Sequence, residues 1–148
     1  MPSLPARAAL GFIAAALSVL TFHQGVVELY HLAGMAGPAW SMRPIPPFGV
    51  PLLIDLGFWG GLYGLVFGIV VPVLRPVWFW GIVLGCLAAA VGWVLVAPLK
   101  GLPMGYGWHL RAMIRSLAIN GSWGLGVGLI LPLLMPSVPR RRRRFARV

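Results

Sequence analysis

Four apolar segments dominate this sequence, and each is long enough to cross a lipid bilayer. They lie near residues 8–30, 52–74, 77–97 and 112–134, and a membrane-spanning helix needs roughly 20 such residues. Each segment is a continuous apolar run, without the short alternating stretches that a transmembrane β-barrel needs. The sequence therefore predicts an all-α membrane protein with four transmembrane helices.

Composition leads to the same fold class. The chain is 59% hydrophobic and only 9% charged, whereas soluble domains carry about 25% charged residues. We expect one transmembrane domain over residues 1–139 and a basic tail over residues 140–148. The first segment follows Arg7 as the apolar core of a signal peptide does, but it stays apolar to Tyr30 without a clear cleavage site. It is interpreted as a retained helix.

The net charge of +10 is concentrated after the last apolar segment. Short basic flanks mark the cytoplasmic side of a membrane protein, and each residue gains roughly 1 kcal/mol from anionic headgroups. This distribution favours a topology anchor over binding of a nucleic acid or an acidic protein. The predicted headgroup anchor consists of Arg140, Arg141, Arg142, Arg143 and Arg144.

Four crossings with the tail inside place both chain ends in the cytoplasm, an N-in/C-in topology. The turn at residues 74–76 is then cytoplasmic, and the loops at residues 33–51 and 98–111 are external. Aromatic residues stand at the expected membrane–water interfaces: Trp78 and Trp80 inside, and Tyr30, Trp40, Tyr106 and Trp108 outside.

Small residues recur every four positions in the second, third and fourth segments. The second has Gly60, Gly64 and Gly68, and the fourth has Gly124 and Gly128. Small residues at this spacing let helix backbones approach closely in lipid, where hydrophobicity no longer drives association. We expect these five glycines to lie at helix–helix interfaces.

The second and fourth segments also align with each other at a constant offset of 64 residues. Trp59-Gly60, Gly64-Leu65 and Pro72 match Trp123-Gly124, Gly128-Leu129 and Pro136. A duplicated helical hairpin would explain the matches. Chance is the alternative in a chain with 20 glycines.

Polar residues are concentrated in the ten positions FHQGVVELYH, residues 22–31. At 3.6 residues per turn, Gln24, Glu28 and His31 share one face of the first helix, whereas His23 lies about 140° from Glu28. We expect the shared face to line a polar cluster near the outer end of the helix. His23 is expected at a helix interface.

A metal or haem site is not favoured. The spacing of Glu28 and His31 matches that of di-metal carboxylate bundles, but those sites need further carboxylates, and Asp55 is the only other acidic residue. His23 and His31 lie on different faces, roughly 12 Å apart along the axis, so they cannot ligate one ion. We expect no metal and no cofactor; the two histidines keep a haem or quinone electron carrier as a remote alternative.

Arg115 is predicted to lie near the outer end of the fourth helix, at the depth of Glu28 and Asp55. Ions within a membrane usually pair or line a water-filled cavity, so we expect Arg115 to pair with one of these carboxylates. The predicted polar cluster, structural or functional, comprises Gln24, Glu28, His31, Asp55, His109, Arg111, Arg115 and Asn120.

Three stretches, FHQ at 22–24, RPIPPFGVP at 43–51 and FWGGLYG at 58–64, resemble those of small four-helix inner-membrane proteins of proteobacteria. APLKGLP at 97–103 and NGSWG at 120–124 are loosely similar to the YagU-like inner-membrane proteins. These resemblances imply a multi-pass protein of the bacterial inner membrane and carry no activity.

The sequence contains no recognisable catalytic motif, so we expect no enzyme. Small size, glycine-faced helices and sparse polar groups favour a non-enzymatic helix-bundle protein. It would act as a homo-oligomer or as an accessory subunit of a membrane complex. The alternative is a small proton- or ion-linked transporter or channel that uses Glu28 and Arg115.

Overall fold

The computed structural model describes residues 2–135, and the protein is mostly helical. Its four long helices are α1 (Leu4–Leu32), α2 (Leu52–Val73), α3 (Val77–Leu99) and α4 (Leu110–Leu134). Each is long and apolar enough to cross a membrane, so the prediction of four such helices is confirmed. The predicted headgroup anchor, Arg140–Arg144, lies outside the described residues.

α1 and α3 both end at a glycine in the left-handed conformation. Gly34 follows α1 with a φ of 71°, and Gly101 follows α3 with a φ of 72°. After α1, the N–H groups of Gly34 and Met35 donate to the carbonyls of His31 and Tyr30. This is the Schellman arrangement, which satisfies carbonyls that a helix end leaves without partners.

The helices form two close pairs that meet along α1 and α4. α1 packs along α2, α3 packs along α4, and α1 contacts α4, so the order across the bundle is α2, α1, α4, α3. The buried core lies where α1, α2 and α4 meet. Its members are Ala14, Ala15, Val19, Phe67, Val71, Trp123, Val127 and Leu131.

The connections distinguish the two ends of the bundle. One end, here called the loop end, carries residues 33–51 and residues 100–109. The first of these loops contains a two-stranded antiparallel hairpin, β1 (Pro44–Ile45) and β2 (Val50–Pro51), and the second contains a 3-10 helix at Met104–Trp108. The opposite end, here called the turn end, carries residues 74–76 between α2 and α3. The sequence predicted both long loops but not the hairpin.

Candidate functional site at the loop end

The polar stripe of α1 binds the loop that follows the helix. We call residues 33–41 the return loop. Gln24 Oε1 accepts the N–H of Trp40 at 2.8 Å, and Glu28 Oε2 accepts the N–H of Ala39 at 3.3 Å. His31 Nδ1 lies 3.0 Å from the carbonyl oxygen of Ala36, so it donates in the tautomer that carries the proton on Nδ1. The stripe therefore holds the return loop against α1.

Trp40 completes this attachment through its side chain. Its indole Nε1 donates to the carbonyl of Leu20 at 2.9 Å, and its backbone has a φ of 50°. Leu20 lies in a π-helical stretch of α1, Val19–His23. π-turns interrupt the regular hydrogen-bond ladder of a helix. Trp40 thus supplies a donor where α1 departs from regular α-helical pairing.

α4 contacts the same π-helical stretch from the other side. Ser122 Oγ lies within 3.3 Å of the carbonyl oxygen of Phe22 and within 2.8 Å of the carbonyl oxygen of Ile119 in its own helix. Backbone groups at membrane depth have no water partners and must be satisfied within the protein. The irregular stretch is therefore stabilised by the return loop and by α4.

Arg115 does not form the predicted ion pair. Its Nη1 donates to the carbonyl of Met35 at 2.7 Å, in the return loop. Glu28 accepts a backbone N–H of the same loop, and Asp55 Oδ1 accepts the indole N–H of Trp59, one turn along α2, at 3.1 Å. Within residues 2–135, neither carboxylate pairs with Arg115. All three charged groups bind neutral partners instead.

The eight residues of the predicted cluster therefore separate. Gln24, Glu28, His31 and Arg115 meet on the return loop. The other four lie elsewhere. Asp55 binds within α2, Asn120 Nδ2 donates to the Ser116 carbonyl within α4, and His109 and Arg111 are exposed at the start of α4.

His23, predicted at an interface, is half-buried in the π-helical stretch. Its Nδ1 lies 3.4 Å from Nε2 of Gln24. Gln24 is itself buried, with 4% of its surface exposed, and its oxygen accepts from Trp40. His23, Gln24 and the return loop are thus joined by consecutive hydrogen bonds.

The five predicted glycines lie where helices approach each other. A Cβ added to Gly64 would overlap the backbone of Gly11, and one added to Gly68 would lie 3.0 Å from Gly11 Cα, both between α2 and α1. A Cβ on Gly124 or Gly128 would collide with the backbone of α3. A Cβ on Gly60 would lie 2.9 Å from Cγ2 of Val19 and 3.4 Å from the indole nitrogen of Trp123. A side chain at Gly64, Gly68, Gly124 or Gly128 would meet the backbone of the neighbouring helix, whereas one at Gly60 would meet side chains of α1 and α4.

A further polar contact joins α1 to α4 at the centre of the bundle. Ser18 Oγ donates to the Trp123 carbonyl at 2.6 Å, and Trp123 Nε1 donates to the Ala15 carbonyl at 3.1 Å. Both side chains are buried, with 0% and 2% of their surfaces exposed. This pair was not identified from the sequence. The available signal was a tryptophan in the middle of an apolar helix, since membrane tryptophans are enriched at the interfaces.

Within the part of the chain that the structure describes, no group of three or more His, Cys, Asp or Glu side chains is placed to hold a metal ion. No protein-family model, curated protein or solved structure matches the chain. Functional inference therefore rests on the geometry of the bundle itself.

Proposed function

We propose that this protein is a non-enzymatic four-helix membrane protein that acts as a homo-oligomer or as an accessory subunit of a membrane complex. The supporting observation is where its polar side chains bind. Gln24, Glu28, His31 and Arg115 all contact backbone atoms of the return loop. The chain's own backbone occupies these groups, which favours a structural role for the polar stripe over a role in transport.

We further propose that the protein spans the bacterial inner membrane with the turn end and both chain ends on the cytoplasmic side. Arg7, beside Gly68 of α2, and Arg75, in the turn, lie at this end. Arg140–Arg144 follow α4 in the sequence. An excess of Lys and Arg in short flanks marks the cytoplasmic face, and the tail would bind anionic headgroups. The resemblance to inner-membrane proteins supports the same location.

Small-residue packing of the GxxxG type would hold the helix pairs together in lipid. Gly64 and Gly68 face α1, and Gly124 and Gly128 face α3. Of the four helices, α3 is the least buried within the chain. Its outward face would be available to a second copy or to a partner helix.

Substitutions of Glu28 distinguish the structural hypothesis from the transport hypothesis. Glu28→Gln keeps a side-chain oxygen for the Ala39 N–H but removes the titratable group. In a denaturant titration in detergent, we expect Glu28→Gln to unfold at the wild-type midpoint. Glu28→Leu loses the acceptor and should unfold at a lower denaturant concentration. In liposomes under a pH gradient, we expect neither wild type nor Glu28→Gln to carry protons. Wild-type proton flux that Glu28→Gln abolishes would overturn the structural role and establish the transport alternative.

Assembly is tested separately by native mass spectrometry after gentle extraction from the membrane. We expect either a homo-oligomeric mass or a second protein at fixed stoichiometry. A monomer that carries no partner in several mild detergents would contradict the proposal.

A further inference from the structure

A groove between α3 and α4 opens at the turn end. It has a volume of about 580 Å³, and its lining includes Arg75 and Pro76 from the turn, Trp78 from α3, and Gly128, Leu129 and Pro132 from α4. A Cβ on Gly128 would lie 2.6 Å from Trp78 Cα. The backbones of the two helices therefore touch at Gly128, one turn of α4 before Pro132.

The walls of the groove are apolar and partly exposed. Trp78 and Leu129 have 48% and 43% of their surfaces exposed. Pro132 has no N–H, so the hydrogen bond that the Gly128 carbonyl would accept from position 132 of a regular helix is missing. The groove thus offers apolar contact along its length.

Arg75 places a positive charge at the mouth of this apolar groove. The chain has only two acidic side chains, Glu28 and Asp55. Glu28 binds the return loop and Asp55 lies in the first turn of α2, so both are at the loop end. Neither can neutralise Arg75 at the opposite end of the bundle. The end of the bundle that carries Arg75 therefore has no acidic side chain, and the positive charge of Arg75 is complementary to an anionic ligand.

We propose that this groove binds an anionic glycerophospholipid. Arg75 lies in a three-residue turn between two apolar helices, which sets its guanidinium at the level of the lipid phosphates. Trp78, Leu129 and Pro132 lie within the adjoining helices, at the level where acyl chains begin. Basic pockets between transmembrane helices have the chemistry that binds such headgroups. A free phosphate ion would use Arg75 but none of the apolar walls.

The test is a titration of the purified protein in neutral detergent with phosphatidylglycerol or phosphatidylcholine, with bound lipids counted by native mass spectrometry. We expect one phosphatidylglycerol to be retained at concentrations where phosphatidylcholine is lost. Losing one basic contact of about 1 kcal/mol lowers affinity about fivefold, which is the change expected for Arg75→Gln. Arg43→Gln, at the loop end, is the charge-matched control and should leave retention unchanged.

Leu129→Trp provides a second variant that fills the groove without changing its charge. It should reduce retention of phosphatidylglycerol, whereas Val66→Trp, on an exposed position of α2, should not. The series is repeated with the six tail arginines, Arg140–Arg144 and Arg147, changed to glutamine, because they also attract anionic lipid. Retention that depends on the tail but not on Arg75 or Leu129 would overturn the proposal, and so would full displacement of the lipid by inorganic phosphate.

Discussion

The contacts within the two helix pairs differ in chemistry from the contact that joins the pairs. Within the pairs, backbone packs on backbone: Gly64 meets Gly11 between α1 and α2, and Gly124 meets Gly81 between α3 and α4. Between the pairs, Ser18 and Trp123 donate hydrogen bonds to buried carbonyls. In lipid, close van der Waals contact and interhelical hydrogen bonds are the two main sources of helix association. Close backbone contact predominates within the pairs, although α3 and α4 also share one hydrogen bond, from Trp93 Nε1 to Ser116 Oγ at 3.1 Å.

The two kinds of contact determine different properties of the bundle: which helices pair, and in which register they pack. A glycine stripe allows close approach along several turns of a helix, so it favours pairing. A buried donor has only a few acceptors within reach, so it also defines register. Ser18 and Trp123 bond reciprocally across α1 and α4, and sliding either helix by one turn would break both bonds. The central contact therefore aligns the two pairs.

Trp59 and Trp123 show the same contrast in residues that the internal alignment matches. Trp123 is 2% exposed and bonds across to α1, whereas Trp59 is 56% exposed and bonds to Asp55 in its own helix. The matched tryptophans thus have different surroundings. Pro136, the last matched residue, lies outside the described residues.

A side chain that separates the two helices of a pair should lower the free energy of unfolding the most. Gly64→Leu places a side chain against the backbone of Gly11, and overpacking of this kind costs about 3 kcal/mol. We expect that loss in the free energy of unfolding, measured by denaturant titration in detergent micelles.

Gly57→Leu is the matched control on the same helix, because a Cβ there meets nothing within 4 Å. It should be as stable as wild type or slightly more so, since leucine favours helix over glycine. In the other pair, Gly124→Leu should be damaging and Gly121→Leu tolerated for the same reason. Equal stability of Gly64→Leu and Gly57→Leu would refute close packing as the basis of the pair.

Removing the hydrogen bonds between the helix pairs should lower the free energy of unfolding by a smaller amount. Interhelical hydrogen bonds in membranes contribute about 1 kcal/mol, so Ser18→Ala should lose about that amount. Trp123→Phe also leaves a small cavity and should lose about 2 kcal/mol. The same unfolding titration measures both.

Thr21→Ala and Trp59→Phe are the controls for these two substitutions. Thr21 donates to the carbonyl of Leu17, one turn earlier in its own helix, and Trp59 bonds within α2. Neither variant should change the free energy of unfolding by more than about 0.5 kcal/mol. If Ser18→Ala matched Thr21→Ala, the central contact would owe its stability to apolar packing alone.

Much of this architecture follows from periodicity and could be predicted. Apolar run length located four helices, and small-residue spacing singled out Gly64, Gly68, Gly124 and Gly128. Helical geometry placed Gln24, Glu28 and His31 on one face, and in the structure all three reach the return loop. These features repeat along a helix, so they are visible in a single sequence.

The partners of the polar residues could not be predicted in the same way. The expected pairing of Arg115 with a carboxylate came from matching charges at equal depth. That reasoning considers only side chains. Every residue carries a backbone carbonyl, so the residue types do not indicate which carbonyl an arginine will bind. Arg115 binds the Met35 carbonyl just beyond the end of α1, and the path of the return loop determines where that carbonyl lies. The π-helical stretch at Val19–His23 likewise depends on tertiary partners, Trp40 and Ser122.

The smallest effect is expected at the return loop, where a third kind of contact joins a loop side chain to α1. Trp40→Phe removes the donor to the Leu20 carbonyl but leaves the glycine contacts and the Ser18–Trp123 bonds in place. Global stability should stay within about 0.5 kcal/mol of wild type. A lost hydrogen bond of about 1 kcal/mol raises local opening about fivefold, so peptides covering residues 36–41 should exchange amide hydrogens faster by that factor. Trp80→Phe, at the turn end, should leave this exchange unchanged. Faster exchange throughout α1 in Trp40→Phe would instead show that the return loop supports the whole helix, and the distinction between loop and bundle contacts would fail.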